Sequence, residues 1–181
     1  MFLFGSQILK EHNASFREPN DWDIFARLPE TISMINSLKE RISSSFGVKS
    51  RNRICLEIEK VFSVEVFFIE HFTSADLMTL DEKIYATPIG KIRGCTYADA
   101  VSRKFGSITS RKSFSKEANL KKHRRDLKCL QFSKKTLTAT QKEMIRAMKR
   151  ENTSRANTVI QQICNFQELI NYLESASDVF Q

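Results

Sequence analysis

Three acidic positions offer the clearest chemistry in this sequence: Asp21, Asp23 and Glu65. Asp21 and Asp23 flank Trp22, so on a strand they point to one face and Trp22 to the other. Two carboxylates on one face repel unless a cation sits between them. Their oxygen donors suit Mg²⁺ or Mn²⁺. A third carboxylate from a neighbouring strand would complete a two-metal site. Such a site activates an attacking hydroxyl and stabilises the leaving oxygen of a displacement at phosphorus. Glu65 lies mid-strand in Ser63-Val64-Glu65-Val66-Phe67 and is the best third member; Glu57 and Glu59 are its rivals. Zinc is disfavoured, since only three His are present and none pairs at ligand spacing.

A phosphate-bearing substrate also needs cations and donors. Gly5-Ser6 follows the apolar run Phe2-Leu3-Phe4, where Gly lets the backbone turn sharply and a helix can start at Ser6. Its N–H groups and the Ser6 hydroxyl suit a triphosphate. The cations lie mostly elsewhere. Residues 1–90 carry 10 Lys/Arg against 13 Asp/Glu, and residues 91–181 carry 19 against 8. An acidic first half suits cations and a basic second half suits a polyanion. Arg103, Lys104, Arg111, Lys112, Lys122, Arg124 and Arg125 are the candidate phosphate contacts, giving affinity without sequence choice. His123 fits either a structural hydrogen bond or a phosphate contact.

These residues must be held by folded elements. With 181 residues, 41% hydrophobic and 14 Phe, the chain can bury a real core, and a wholly disordered chain is excluded. The patterning predicts strands over Phe2–Phe4 and Asp21–Ala26. Pro29 and Glu30 open a helix whose buried stripe is Met34, Ile35, Leu38 and Ile42, with Gly47 as its stop. Two strands over Arg53–Val61 and Phe62–Glu70 alternate with period two and would pair as a hairpin. Ser74–Leu80 reads as a helical turn. From Lys91 onward the pattern is mainly helical: Tyr97–Phe105, Phe114–Leu130, Thr138–Arg150 and Ser154–Leu173, with a polar loop over Ser107–Ser115. The expectation is an α+β chain. A small mixed sheet with helices on one face fills residues 1–90, and a basic, mainly helical lobe fills residues 91–181.

Other classes are set aside on simple grounds. No run of 18 apolar residues exists, so no transmembrane helix is expected. The apolar start is too short for a signal sequence and has no basic residues before it. Cys55, Cys95, Cys129 and Cys164 are widely spaced without a CxxC pair, so reduced thiols in an intracellular, cytoplasmic setting are expected.

The order strand–Gly-Ser, strand–acid-x-acid–helix, then a strand with one central acid resembles the polymerase β-like nucleotidyltransferase superfamily. More narrowly, GSQILKEHNASFREPNDWDIF looks like uncharacterised nucleotidyltransferase-like proteins of large DNA viruses and phages. There an Arg lies between the Gly-Ser and the Asp-Trp-Asp, and here that is Arg17. VFSVEVFFIE fits the third-acid strand, and LKKHRRDLKCL looks like a helical Lys-His-x-x-Asp element, here Lys122, His123 and Asp126. Val101-Ser102-Arg103 departs from the pattern, which has a Ser-His pair there. The resemblance spans roughly residues 2–131. It implies Mg²⁺-dependent transfer of a nucleotidyl group from an NTP to a hydroxyl, with RNA or DNA among the acceptors. Asp21, Asp23 and Glu65 would hold the metals and do the catalysis. Gly5, Ser6, Arg17, Lys122 and His123 would bind the nucleotide. Two alternatives share the fold: a catalytically inactive nucleic-acid-binding protein, and a toxin or antitoxin-type regulator. The acceptor, the preferred NTP and the oligomeric state are left open.

Overall fold

The computed structural model describes residues 1–43, 46–50, 52–111, 117–153, 161–163 and 165–178. Its order begins β1 (Phe2–Phe4), α1 (Ser6–His12), β2 (Trp22–Ala26), α2 (Leu28–Ser37), β3 (Phe46–Ser50), β4 (Arg53–Ile58) and β5 (Phe62–Phe68). It continues with α3 (Thr73–Asp76), β6 (Leu80–Thr87), β7 (Gly90–Cys95), α4 (Tyr97–Arg111), α5 (Glu117–Cys129), α6 (Ala139–Thr153), β8 (Gln161–Ile163) and α7 (Phe166–Asp178). The fold is mixed α+β with a helical C-terminal part, as expected.

The sheet order is β6-β7-β1-β2-β5-β4-β3-β8. Among the described residues, only β2–β5 and β1–β7 are parallel neighbours. The β6–β7 hairpin joins through a single pair, Leu3 with Gly94, so it is an appendage on a six-stranded mixed sheet.

Period-two alternation gives this sheet two unlike faces. Leu3 opposes Ile24, which opposes Val66, which opposes Ile54. All four are fully buried and aliphatic. The other face is aromatic: the Phe4 and Phe25 rings stack at 4.2 Å, and Phe67 and Phe72 meet Phe25 edge-on or tilted at 5.7 and 5.4 Å. On this second face, further along the same strands, lie Asp23 and Glu65.

β4 and β5 form the expected hairpin. Its join has no Asn-Gly, yet Glu59 and Lys60 both take φ of 56°. They are the central residues of a turn that Val61 N closes on Ile58 O, and three residues separate the paired Ile58 and Phe62. α2 starts at Leu28, with Glu30 Oε2 accepting from the Arg27 N–H at 2.8 Å.

Several elements differ from the sequence expectation, each for a physical reason. α2 stops at Ser37, and Ile42 bridges Ile58 instead of completing the helical stripe. There Ser43 N donates to Glu57 O, Glu59 N donates to Arg41 O, and Arg41 pairs with Glu59 at 2.7 Å. The hairpin therefore draws the chain out of the helix, and Gly47 lies inside β3 rather than at a helix stop. β6 forms where the sequence marked no strand, and β7 opens the stretch expected to be mainly helical. On β6 only Tyr85 is buried and Ile84 is exposed, so no alternating pattern announces the strand. The division at residue 90 falls at this hairpin's turn, and β7 and β8 extend the sheet beyond it.

α4 runs on through Arg111, over half of the expected Ser107–Ser115 loop. Ser107 Oγ donates to Arg103 O and Thr109 Oγ1 to Gly106 O, so the hydroxyls are satisfied on the helix itself. Buried Ile108 anchors that turn. Residues 112–116 lie outside the described residues. The expected Ser154–Leu173 helix is divided. Ile163 is buried in β8 against β3, and Asn165 Oδ1 accepts from Glu168 N to cap α7. Val159 and Cys164 lie outside the described residues.

Gly94 shows how tightly the hairpin is set. A Cβ there would lie 2.6 Å from the Tyr85 ring and 3.0 Å from Ile8 Cδ1. Gly94→Val is expected to cost about 1–3 kcal/mol by overpacking, read from the midpoint of chemical denaturation.

Candidate functional site

β2 and β5 bring the carboxylates together. Their parallel register sets Asp23 directly beside Glu65, and Asp21 lies two residues before Asp23. One oxygen from each of Asp21, Asp23 and Glu65 lies within 4.8 Å of the others. The rivals are elsewhere: Glu57 opposes Ser63 on the hairpin, and Glu59 in the turn pairs with Arg41. Glu65 is therefore the third carboxylate of the cluster.

Gly5 ends β1 and makes room for this cluster. Its φ is +82°, and a Cβ there would stand 2.2 Å from Asp23 Oδ2. The position needs glycine both for its backbone and for the carboxylate that fills the space. Gln7 Nε2 donates to the Asp21 carbonyl at 3.2 Å, which ties α1 to the first acid.

A cavity of about 450 Å³ opens over the cluster. Gly5, Ser6, Arg17, Asp21, Asp23, Arg53, Glu65, Arg103, Lys104, Lys122 and His123 all line it. The expected nucleotide-binding set, Gly5, Ser6, Arg17, Lys122 and His123, thus shares one chamber with the three acids. Ser6 is buried, and its Oγ accepts from Arg17 Nη2 at 3.2 Å. Arg17 Nε also donates to Asp126 Oδ1 at 3.2 Å, while Lys104 Nζ meets Asp126 Oδ2 at 2.6 Å. Asp126, almost fully buried, thereby joins the loop before β2 to α4 and α5.

The weaker nucleic-acid candidates separate into three groups. Arg103 and Lys104, expected as phosphate contacts, are each 9% exposed. Arg103 lies 4.8 and 4.7 Å over the Phe4 and Phe25 rings and donates to Ser74 Oγ at 3.0 Å. Both are walls of the chamber. Arg124 and Arg125 are exposed on α5, away from it. Arg111 ends α4, and Lys112 lies outside the described residues.

Arg53 was not among the expected residues. Its Nη1 donates to Glu65 Oε2 at 2.9 Å. The signal was present, because Arg53 opposes Phe67 and Cys55 opposes Glu65 in the hairpin, which puts Arg53 on the face of Glu65. Glu151 of α6 also reaches the chamber and accepts from Ser74 N at 2.7 Å. It lies 86 positions from Glu65, and no local pattern points to it.

The electrostatics fit a cation. Burial first, and then Asp21 and Glu65, push the Asp23 carboxyl up to about 7, against the pull of Arg103 and Lys104. Burial likewise lowers the Lys104 ammonium, opposed by Asp126. Three close oxygen donors, one of them reluctant to ionise, suit a hard divalent ion. Residues 1–83 match a family model described as "Domain of unknown function (DUF7277)". That stretch includes the three acids, Arg17 and Arg53, and it ends before α4. No curated protein matches the chain. No helix among the described residues is long and apolar enough to cross a membrane.

Two expectations follow. An unfolded Asp titrates near 3.9, so the folded state keeps its Asp23 proton to higher pH. The Asp23 contribution to metal-free stability should be fully present below about pH 4 and be lost as pH rises through 7. Asp23→Asn should match the wild type near pH 4. At pH 8 it should exceed it by about 2–4 kcal/mol at most, less where the chamber is wetted, as denaturant titrations at both pH values will show. Gly5→Ala should cost about 1–3 kcal/mol from backbone strain alone, with a further loss as Asp23 is displaced. Its thermal midpoint checks this.

Proposed function

We propose that this chain is a divalent-metal-dependent nucleotidyltransferase, moving an NMP group from an NTP to a hydroxyl acceptor. One observation carries it: three carboxylates within 4.8 Å of one another face Arg17, Lys104 and Lys122 in a single chamber. Acids at one wall and cations at another suit a triphosphate that carries its own divalent ion. The resemblance to polymerase β-like nucleotidyltransferases supports the same chemistry.

Asp21, Asp23 and Glu65 would hold Mg²⁺ or Mn²⁺, which when bound polarises the phosphoryl oxygens and activates the acceptor hydroxyl. The protein's own groups do the rest. Ser6 and Arg17 bind the β- and γ-phosphates beside Gly5. Lys122 and His123 approach from α5, which Asp126 positions through Arg17 and Lys104. The acceptor oxygen bonds to the α-phosphorus as the bond to the β-phosphate oxygen breaks. Pyrophosphate leaves, and the hydroxyl proton passes to a carboxylate of the chamber. Arg103, clamped over two Phe rings, keeps positive charge near Asp23 without moving in the reaction.

Arg124 and Arg125 on the outer face of α5 suit the phosphates of an RNA or DNA acceptor. Cys55, Cys95 and Cys129 are free thiols, which suits a reducing intracellular setting.

The test is transfer itself. The protein is incubated with each labelled NTP, Mg²⁺ or Mn²⁺, and separated RNA, DNA and protein fractions. Label is expected in one fraction. Asp21→Asn and Asp23→Asn should lower transfer by at least about 10³-fold, a size usual for key catalytic groups, while circular dichroism stays native. Undiminished transfer by those variants, or no transfer with any NTP, overturns the assignment.

A further inference from the structure

Arg53 is a cation placed on one of the acids that a metal would need. Its Nη1 is 2.9 Å from Glu65 Oε2, and its guanidinium lies 5.2 Å over the Phe67 ring. The Glu65 side chain is 9% exposed and that of Arg53 is 28% exposed. Arg103 and Lys104 are fastened differently, by Ser74 and two Phe rings and by Asp126. Arg53 donates directly to a carboxylate of the triad.

We propose that Arg53 holds Glu65 when no metal is bound, and that its charge sets how tightly the triad takes a divalent ion. This rests on the triad being a metal site. The physics is competition for one carboxylate. A buried carboxylate without a partner is costly, so the pair stabilises Glu65 in the metal-free chain. A divalent ion on Glu65 would stand roughly 2–2.6 Å from its oxygen, with the guanidinium on the same group. Two cations at that range repel strongly even when solvent and protein screen them. Binding therefore displaces the guanidinium or works against it. Arg53 is the more open partner, and it lines the chamber that a triphosphate would fill. A substrate phosphate is a ready second partner for it. Divalent affinity is thus held low until an anionic substrate arrives.

Mn²⁺ titration of the full chain without nucleotide, followed by the paramagnetic resonance of free Mn²⁺, tests this. Arg53→Gln keeps a donor for Glu65 but removes the charge. It should bind Mn²⁺ about tenfold tighter than the wild type, a modest share of the screened repulsion. Arg53→Lys keeps the positive charge that opposes the ion and should stay within about threefold of wild type. The metal-free thermal midpoint of Arg53→Gln should fall and be restored by Mn²⁺. A purely structural Arg53 would lower that midpoint without tightening Mn²⁺. Equal or weaker Mn²⁺ binding by Arg53→Gln overturns the proposal. So does tightening that persists when Asp23→Asn is added, since the ion would then lie elsewhere. Nucleotide plays no part in the measurement. Tightening without any transfer activity defeats only the nucleotidyltransferase reading. Transfer activity without tightening defeats only the assignment of Arg53.

Discussion

The parallel pairing of β2 with β5 is the constraint on which the site depends. It sets Asp23 beside Glu65, and Asp21 follows because it precedes β2 on the same face. Burial opposes ionisation of Asp23, and the Asp21 and Glu65 carboxylates drawn close to it add to this. The surrounding structure answers with cations taken from several elements. Arg53 comes from β4, Arg17 from the loop after α1, Arg103 and Lys104 from α4, and Lys122 from α5. Parallel neighbours cannot be joined by a tight turn. The chain between β2 and β5 therefore builds α2, β3 and β4, and β4 is the strand that delivers Arg53.

The two faces of the sheet divide the work. The aliphatic face of Leu3, Ile24, Ile54 and Val66 is fully buried and serves as plain core. The aromatic face supports charge. Phe4 and Phe25 present their rings to Arg103, and Phe67 presents its ring to Arg53. A ring face attracts a cation without supplying a competing carboxylate. Guanidinium groups can then stay close to the acids and retain positive charge toward the chamber.

Asp126 is the counterweight. Without it, Arg17 and Lys104 would face each other in a largely buried place. With it, three separate segments are tied through one carboxylate. Removing one partner of such a group leaves buried charge unmatched, so the arrangement is sensitive to single changes. The same pairing orients α5, placing Lys122 and His123 toward the acids and leaving Arg124 and Arg125 outside.

Local patterning determined a good deal by itself. Alternation over residues 53–68 specified the β4–β5 hairpin, and Asp21-Trp22-Asp23 specified two acids on one strand face. Gly5-Ser6 marked the turn at the end of β1. These features are legible because side-chain direction in a strand repeats every two residues, whatever the strand later pairs with. Helix ends and weak strands were not legible in the same way. Residues 41–43 leave a helical pattern because the hairpin edge offers them hydrogen bonds. β6 forms although Tyr85 alone on it is buried. The choice of Glu65 over Glu57 and Glu59 belonged to register, which is a relation between strands. The inward turn of Arg103 and Lys104 was likewise decided by tertiary structure. Their charge marked them as phosphate contacts, and Ser74, the Phe rings and Asp126, brought from other parts of the chain, are among the partners that let them be buried.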